Sequence, residues 1–382
     1  MKISDIADII NLSEKDPANS GIDVFVGLEH YDIAEPVIKR FGSTKMLSTA
    51  AKKFEAGDVL IARRNVYLQR ASVAKFSGLT SGDSIILRVK KELHTEETDC
   101  DTMCQLLPFI LNSINFWDYA NTNADGTMSK RLSPAMLQEY EFSLPSLAEQ
   151  KVLAEKLWAA YEVKQSYLKM IAATEEMVKA QFIEMFGDQN INDRCWDESI
   201  VKDEFSLSMG KTPSRNNPSY WESGTNKWVS ISDMATYGRY TGGTQELITD
   251  KAVAESGIKM VPHGTIIMSF KLSIGRTAVT SEDIYTNEAI MAFCDVNEKK
   301  FNKTFLYFLI ANKNWLLNAK QAVKGQTLNK ESIGNAKIIV PPVELQEHFA
   351  SIYNQADKSI SELRKSVDAI DKVIKSFINE NL

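Results

Sequence analysis

The chain has few of the features that mark a catalyst, a secreted scaffold or a membrane protein. Its 382 residues hold four cysteines, at positions 100, 104, 195 and 294, too few and too scattered for a disulfide framework. Cys100 and Cys104 share a helix face with His94 close by, yet no second close pair completes four metal ligands. Reduced thiols in a cytoplasm are the expectation. No apolar run approaches the roughly 18 residues that cross a bilayer. The opening MKISDIADIINLSEKD carries acids where an export signal needs an unbroken apolar core, so neither a membrane nor export is expected. The net charge of −6 excludes a protein coated uniformly with positive charge.

Catalytic motifs are also missing. Gly210-Lys211-Thr212 ends like a phosphate-binding loop, but Phe205 stands where the first glycine is required. Asn217-Pro218-Ser219-Tyr220 is similar to the Asn-Pro-Pro-Tyr motif of amino-methyltransferases, yet no glycine-rich cofactor loop follows a strand. His30, His94, His263 and His348 show no motif-like spacing to a serine or cysteine nucleophile. No positive case for an enzyme emerges.

What is present occurs twice. Residues 132–186 and 328–378 align at an offset of about 196, so that Leu132 meets Leu328, Pro145 meets Pro341 and Gln150 meets Gln346. Each copy reads as a short strand, a proline stop, a Leu/Glu/Gln helix start and a long amphipathic helix. The preceding stretches repeat as well. AGDVLIARRNVYLQRASVA parallels HGTIIMSFKLSIGRTAVT, with Gly57 against Gly264 and Arg70 against Arg276. GDSIILRVK parallels NEAIMAFCDV, and Trp117 parallels Trp315 at the end of a helical run. Such a long-period repeat sets the fold expectation before local detail does.

Residues 1–20 read as a short helix and a polar loop. β-prone runs of five to eight residues follow from Ile22, then one helix over about 101–120. In the second long helix Phe349, Ile352, Ala356, Ile360, Leu363, Val367, Ile370, Ile374 and Phe377 form an apolar seam. Leu153, Leu157, Tyr161, Leu168, Ile171, Val178, Phe182 and Met185 do so in the first, with a polar gap at Lys164 and a stop at Gly187. Helices of about 35 to 39 residues reach roughly 55 Å. One apolar stripe does not hold such a helix alone in water, so the two are expected to pair antiparallel.

The expected architecture is mixed α/β of the α+β type, with a pseudo-twofold internal repeat. Globular domains span 1–146 and 188–342, and coiled-coil helices span 147–187 and 343–382.

Charge is distributed unevenly. Residues 37–75 hold Lys39, Arg40, Lys45, Lys52, Lys53, Arg63, Arg64, Arg70 and Lys75 against Glu55 and Asp58, a surplus of nine minus two, or seven. Such a surplus fits either a solvated face or a polyanion partner. Arg63, Arg64, Asn65, Tyr67 and Gln69 follow one apolar strand, and Lys271, Leu272, Ser273 and Arg276 follow its counterpart. Lys211, Arg215, Asn216, Asn217, Tyr220 and Trp221 make a further polar cluster. Arginine and lysine reach guanine edges and phosphates, and asparagine and glutamine reach adenine edges. The candidate DNA contacts are Lys52, Lys53, Arg63, Arg64, Asn65, Arg70, Lys211, Arg215, Asn216, Asn217, Tyr220, Lys271 and Arg276. For each, surface solvation or a structural turn is the plainer reading.

The stretch GKTPSRNNPSYWESGTNKWVSISDM (210–234) and the passages LPSLAEQKVLAEKL and VPPVELQEHFASIY resemble the specificity subunits of Type I restriction-modification enzymes. The resemblance runs through the whole chain. The first domain lacks the Thr-Pro-Ser start and has FVGLEH where WVSISDM stands in the second. The resemblance implies a non-catalytic subunit in which each domain reads half of a split, asymmetric site in double-stranded DNA. The coiled coil would space the readers and dock two modification subunits carrying the methyltransferase, with restriction subunits joining them. S-adenosylmethionine, ATP and Mg would then belong to those partners, with no cofactor in this chain. A helix of about 55 Å could span some 16 base pairs at 3.4 Å each. The competing expectation is a protein-interaction scaffold whose β-rich domains bind peptides.

Overall fold

Left-handed glycines start the same hairpin in both halves of the chain. Gly57 (φ +97°) and Gly264 (φ +74°) each lie two residues before a strand, in a conformation that a β-carbon would strain. In the computed structural model these strands, Val59–Ala62 and Ile266–Ser269, sit inside four-stranded antiparallel sheets of identical topology. One runs in the order Ala7–Ile10, Ser84–Val89, Val59–Ala62, Ala71–Val73. The other runs Ser206–Met209, Ile290–Cys294, Ile266–Ser269, Thr277–Val279. The structure describes residues 1–127, 129–271, 273–317, 321–322, 325–326 and 328–382.

A second sheet in each half is built around a parallel pair. Val24–Val26 pairs with Gly78–Thr80, in register Phe25 to Leu79 and Val26 to Thr80. Asn226–Val229 pairs with Tyr285–Thr286, in register Trp228 to Tyr285 and Val229 to Thr286. FVGLEH and WVSISDM therefore hold equivalent strands despite their different sequences. The fold is mixed α/β, as expected.

The chain divides into two compact units: residues 1–169 with 363–382, and residues 170–362. Each long helix is shared between them, Leu147–Phe186 and Val343–Asn381. In the first unit the sheet, the helices Cys100–Ile110 and Ile114–Asn123, and the start of the first long helix enclose one core around Phe109, Phe116 and Trp117. Here the helices run antiparallel, since Lys156 lies over the Phe377 ring and Lys164 Nζ bonds Asp371 at 2.6 Å. The polar gap at Lys164 is thus an ion pair in the seam. Leu168, placed in the seam from spacing, stays exposed. In the second unit Phe182 and Phe186 pack on Phe305, Phe308 and Phe349.

Two local expectations are corrected. Near the start the α-helix is confined to Ile3–Ile6, because Ala7–Ile10 is drawn into the sheet by pairing with Ser84–Val89. The single helix over 101–120 is two, since Ser113 Oγ accepts from Phe116 N–H and begins a new helix.

The repeated glutamines explain the repeated helix start. Gln150 and Gln346 are both fully buried (0% exposed). Gln150 Nε2 donates to Pro145 O (2.9 Å) and Glu97 O (2.6 Å), and its Oε1 accepts from Thr98 (2.8 Å). Gln346 Nε2 donates to Pro341 O (2.8 Å) and Lys300 O (3.0 Å), and its Oε1 accepts from Asn302 N–H (2.9 Å). Each proline-to-glutamine step pins a long helix to the loop beside its own sheet.

Candidate nucleic-acid interface

Four of the nine cations of residues 37–75 are matched by carboxylates outside that window. Lys39 pairs with Glu35 (3.0 Å), Arg40 with Asp32 (2.6 Å), Lys53 with Glu14 (2.7 Å) and Arg64 with Asp83 (3.7 Å). Lys52 Nζ donates to Ser84 O (2.8 Å), and burial pushes its pKa down, with Arg63 adding to the effect. Arg70 donates to Leu28 O (2.9 Å) and Arg64 O (3.0 Å). Lys75 lies over the Trp158 ring. A linear window could not show this, because the acids arrive from neighbouring strands and loops.

What remains in the first unit is a loop pair. Asn65 (φ +56°) and Gln69 (φ +49°) bracket a turn after Val59–Ala62, and Tyr67 projects from it, exposed. A second loop crosses this turn. Asn65 N–H donates to Lys130 O (2.8 Å), Ser129 Oγ donates to Asn65 Oδ1 (2.9 Å) and Arg64 Nε donates to Ser129 Oγ (3.2 Å). Arg64 and Arg131 form a β-bridge. The paired loops bring Arg63, Arg64, Lys130 and Arg131 together. Asn65 stands at the start of that turn and is held by Ser129. Sequence reasoning missed Lys130 and Arg131, although a basic pair ending the turn-rich NTNADGTMSKR was a visible signal.

The second unit separates its candidates. Arg215 grips Glu246 with both Nη atoms and stacks 3.8 Å above the Trp221 ring centre. The hydrogen bond to Glu246 raises its pKa. Asn217 Oδ1 caps the turn at Pro218–Tyr220, and Tyr220 OH donates to Glu255 (2.9 Å). Lys211 Nζ donates to Ser256 O. These four side chains are held by protein partners, and Asn216 beside them is exposed. Lys271 and Arg276 are exposed on the hairpin between Ile266–Ser269 and Thr277–Val279, and neither is salt-bridged among the described residues. Gly275 (φ +87°) shapes that hairpin. Leu272, in the same run, lies outside the described residues.

Each unit thus presents cations on the hairpin after the same strand, arginine-rich in one and sparser in the other. Such loops can meet phosphates and base edges. Among the described residues no group of three or more His, Cys, Asp or Glu is arranged to hold a metal ion. No helix of the described residues is long and apolar enough to cross a membrane.

Residues 194–370 match the family model of the Type I restriction modification DNA specificity domain. The MjaIX specificity subunit of Methanocaldococcus jannaschii is 26% identical over 203 residues, covering 52% of this chain and 46% of that protein. The HindI specificity subunit of Haemophilus influenzae is 24% identical over 236 residues, covering 59% and 50%. The chain spans about half the length of these curated relatives. Among solved structures, the S subunit of a Type I system from M. genitalium superposes with a TM-score of 0.54 at 12% identity, covering 99% of this chain and 94% of that one. A chain from a type I system studied for its assembly and conformational transition gives 0.54 at 14%, covering 99% and 95%. At those identities the likeness is one of fold.

Proposed function

We propose, from the match of residues 194–370 to the Type I restriction modification DNA specificity domain, that this chain is the DNA-recognition subunit of a Type I restriction-modification complex. Each globular domain, 1–146 and 188–342, reads one half of a bipartite, asymmetric site in double-stranded DNA. The helices 147–187 and 343–382 set the spacer and dock two modification subunits, which restriction subunits then join. Methylation and cleavage, with S-adenosylmethionine, ATP and Mg, belong to those partners, and the complex works in the cytoplasm. One observation carries the reading: a single sheet topology occurs twice in one chain, each time with a differently charged hairpin after the same strand. Two readers of different sequence need the same scaffold with different loops.

The test is selection of randomised duplexes by the full chain copurified with its modification subunits. The expected result is an enriched motif of two fixed halves around an unselected gap. Absence of any enriched DNA motif, with capture of peptides instead, would favour the scaffold reading.

A further inference from the structure

Both units fasten the same loop to the same turn of a long helix, with the charges exchanged. In the first unit the segment around Pro36 lies along Ala71–Val73: Val73 N–H donates to Pro36 O (2.8 Å) and Ile38 N–H to Val73 O (3.0 Å). In the second, Val279 N–H donates to Arg239 O (2.8 Å) and Thr241 N–H to Val279 O (2.9 Å). Pro36 and Arg239 are therefore equivalent. The helix offset of about 196 likewise places Asp357 where Tyr161 stands, and Asn354 where Trp158 stands.

The chemistry at these matched places differs. Glu35, 8% exposed, accepts a hydrogen bond from Tyr161 OH and pairs with Lys39 (3.0 Å), whose ammonium lies over the Tyr161 ring. Arg239 reverses the arrangement. Its side chain is 8% exposed, and Nη1 donates to Asn354 (2.7 Å) and Asp357 (3.3 Å) while Nη2 donates to Thr304 (2.6 Å). Its guanidinium sits 4.9 Å from the Tyr353 ring centre. Burial raises the pKa of both Tyr161 and Tyr353, and Glu35 adds to the effect at Tyr161. The loop supplies an acid in one unit and a base in the other.

Exchanging the partners is costly in either direction. Unit 1's loop on the second helix would set two carboxylates, buried Glu35 and Asp357, beside the one cation Lys39. Unit 2's loop on the first helix would leave Arg239 without its carboxylate, facing Trp158 and Tyr161. A buried charge that loses its partner or meets a like charge is strongly penalised. We propose that the Glu35–Tyr161 and Arg239–Asp357 contacts are positioning latches that decide which recognition domain can be mounted on which long helix. The inference rests on the DNA-recognition reading above. It implies that a graft of a foreign reader must match the residue at 161 or 357.

The experiment repeats the duplex selection with the full chain and its modification subunits, scoring each half-motif separately. Y161D, which removes the phenol that donates to Glu35 and sets a second carboxylate beside the Glu35–Lys39 pair, is expected to lower enrichment of one half-motif roughly tenfold or more and leave the other intact. The double variant E35R/Y161D puts an arginine–aspartate pair across the same loop–helix contact, one residue from the place that matches Arg239, and is expected to restore that half. Hydrogen exchange over residues 31–40 should follow the same order: fast in Y161D, slow again in the double variant. Unchanged half-motifs in Y161D would overturn the proposal, and so would a double variant as defective as the single one. If the unmutated complex selects no bipartite motif, the recognition reading fails first, and the latch as a device for mounting readers falls with it.

Discussion

At the scale of residues, the decisive distinction lies between cations with protein partners and cations without them. Arg215 is spent on Glu246 and Trp221, so Arg215→Ala is expected to lower the unfolding midpoint of the second unit more than any loop variant does. Arg276 and Arg131 have no such partners among the described residues, so removing either should leave stability unchanged. Each loss is instead expected to reduce the slope of log affinity against log salt by about one, the signature of one lost phosphate contact. Under the proposed function, Arg276→Ala should act only through the half-motif assigned to the second domain. Titration of the isolated complex at several salt concentrations checks both expectations. Composition could list these arginines but not sort them, since sorting needs Glu14, Asp32, Glu35 and Asp83, which reach the basic stretch only after folding.

A further residue-level expectation concerns pH. Asp99 accepts from Thr102 and pairs with Lys151 (3.0 Å), and those contacts, Thr102 foremost, hold its pKa at about 2 instead of 3.8. A carboxyl lowered by folding contributes stability that is present above its unfolded value and lost as pH falls through the folded one. That window runs here from about pH 4 down to about 2. Asp99→Asn keeps an acceptor but cannot titrate, so urea midpoints should fall less steeply across that window than in the parent chain.

At the scale of elements, the long helices and most strands were legible because their periodicity is local. The seam of the second helix, from Phe349 to Phe377, fixes its buried face without knowledge of the partner. The N-terminal strand was not legible, since Ala7–Ile10 becomes a strand only against Ser84–Val89. Gln150 and Gln346 fall between these cases. Their alignment was visible, but their partners lie near residues 97–98 and 300–302, far away in sequence. Gln346→Leu would strand Lys300 O, Pro341 O and Asn302 N–H in a buried site. The expected cost is about 3 kcal/mol, read as a shift in chemical unfolding with little change in the first unit. An unshifted midpoint would mean that the glutamine does not pin the helix.

At the scale of the whole molecule, one sheet topology is used twice, once in each of two units, and the two long helices each contribute to both. The repeat was legible in sequence because Pro145/Pro341, Gln150/Gln346 and Gly57/Gly264 survive in both halves. The two loop–helix latches were not, because Glu35 and Arg239 share neither charge nor position in an ungapped alignment. Under the proposed function, removing whole heptads from the long helices should change the tolerated spacer while both half-motifs persist. The most direct test replaces residues 188–342 with those of a relative, keeping the residue at 357 matched to its loop. The methylated sites of a host genome carrying the complex are then mapped. The account predicts that one half of the methylated motif changes while the other half stays as in the parent. A change in both halves, or in neither, would contradict it.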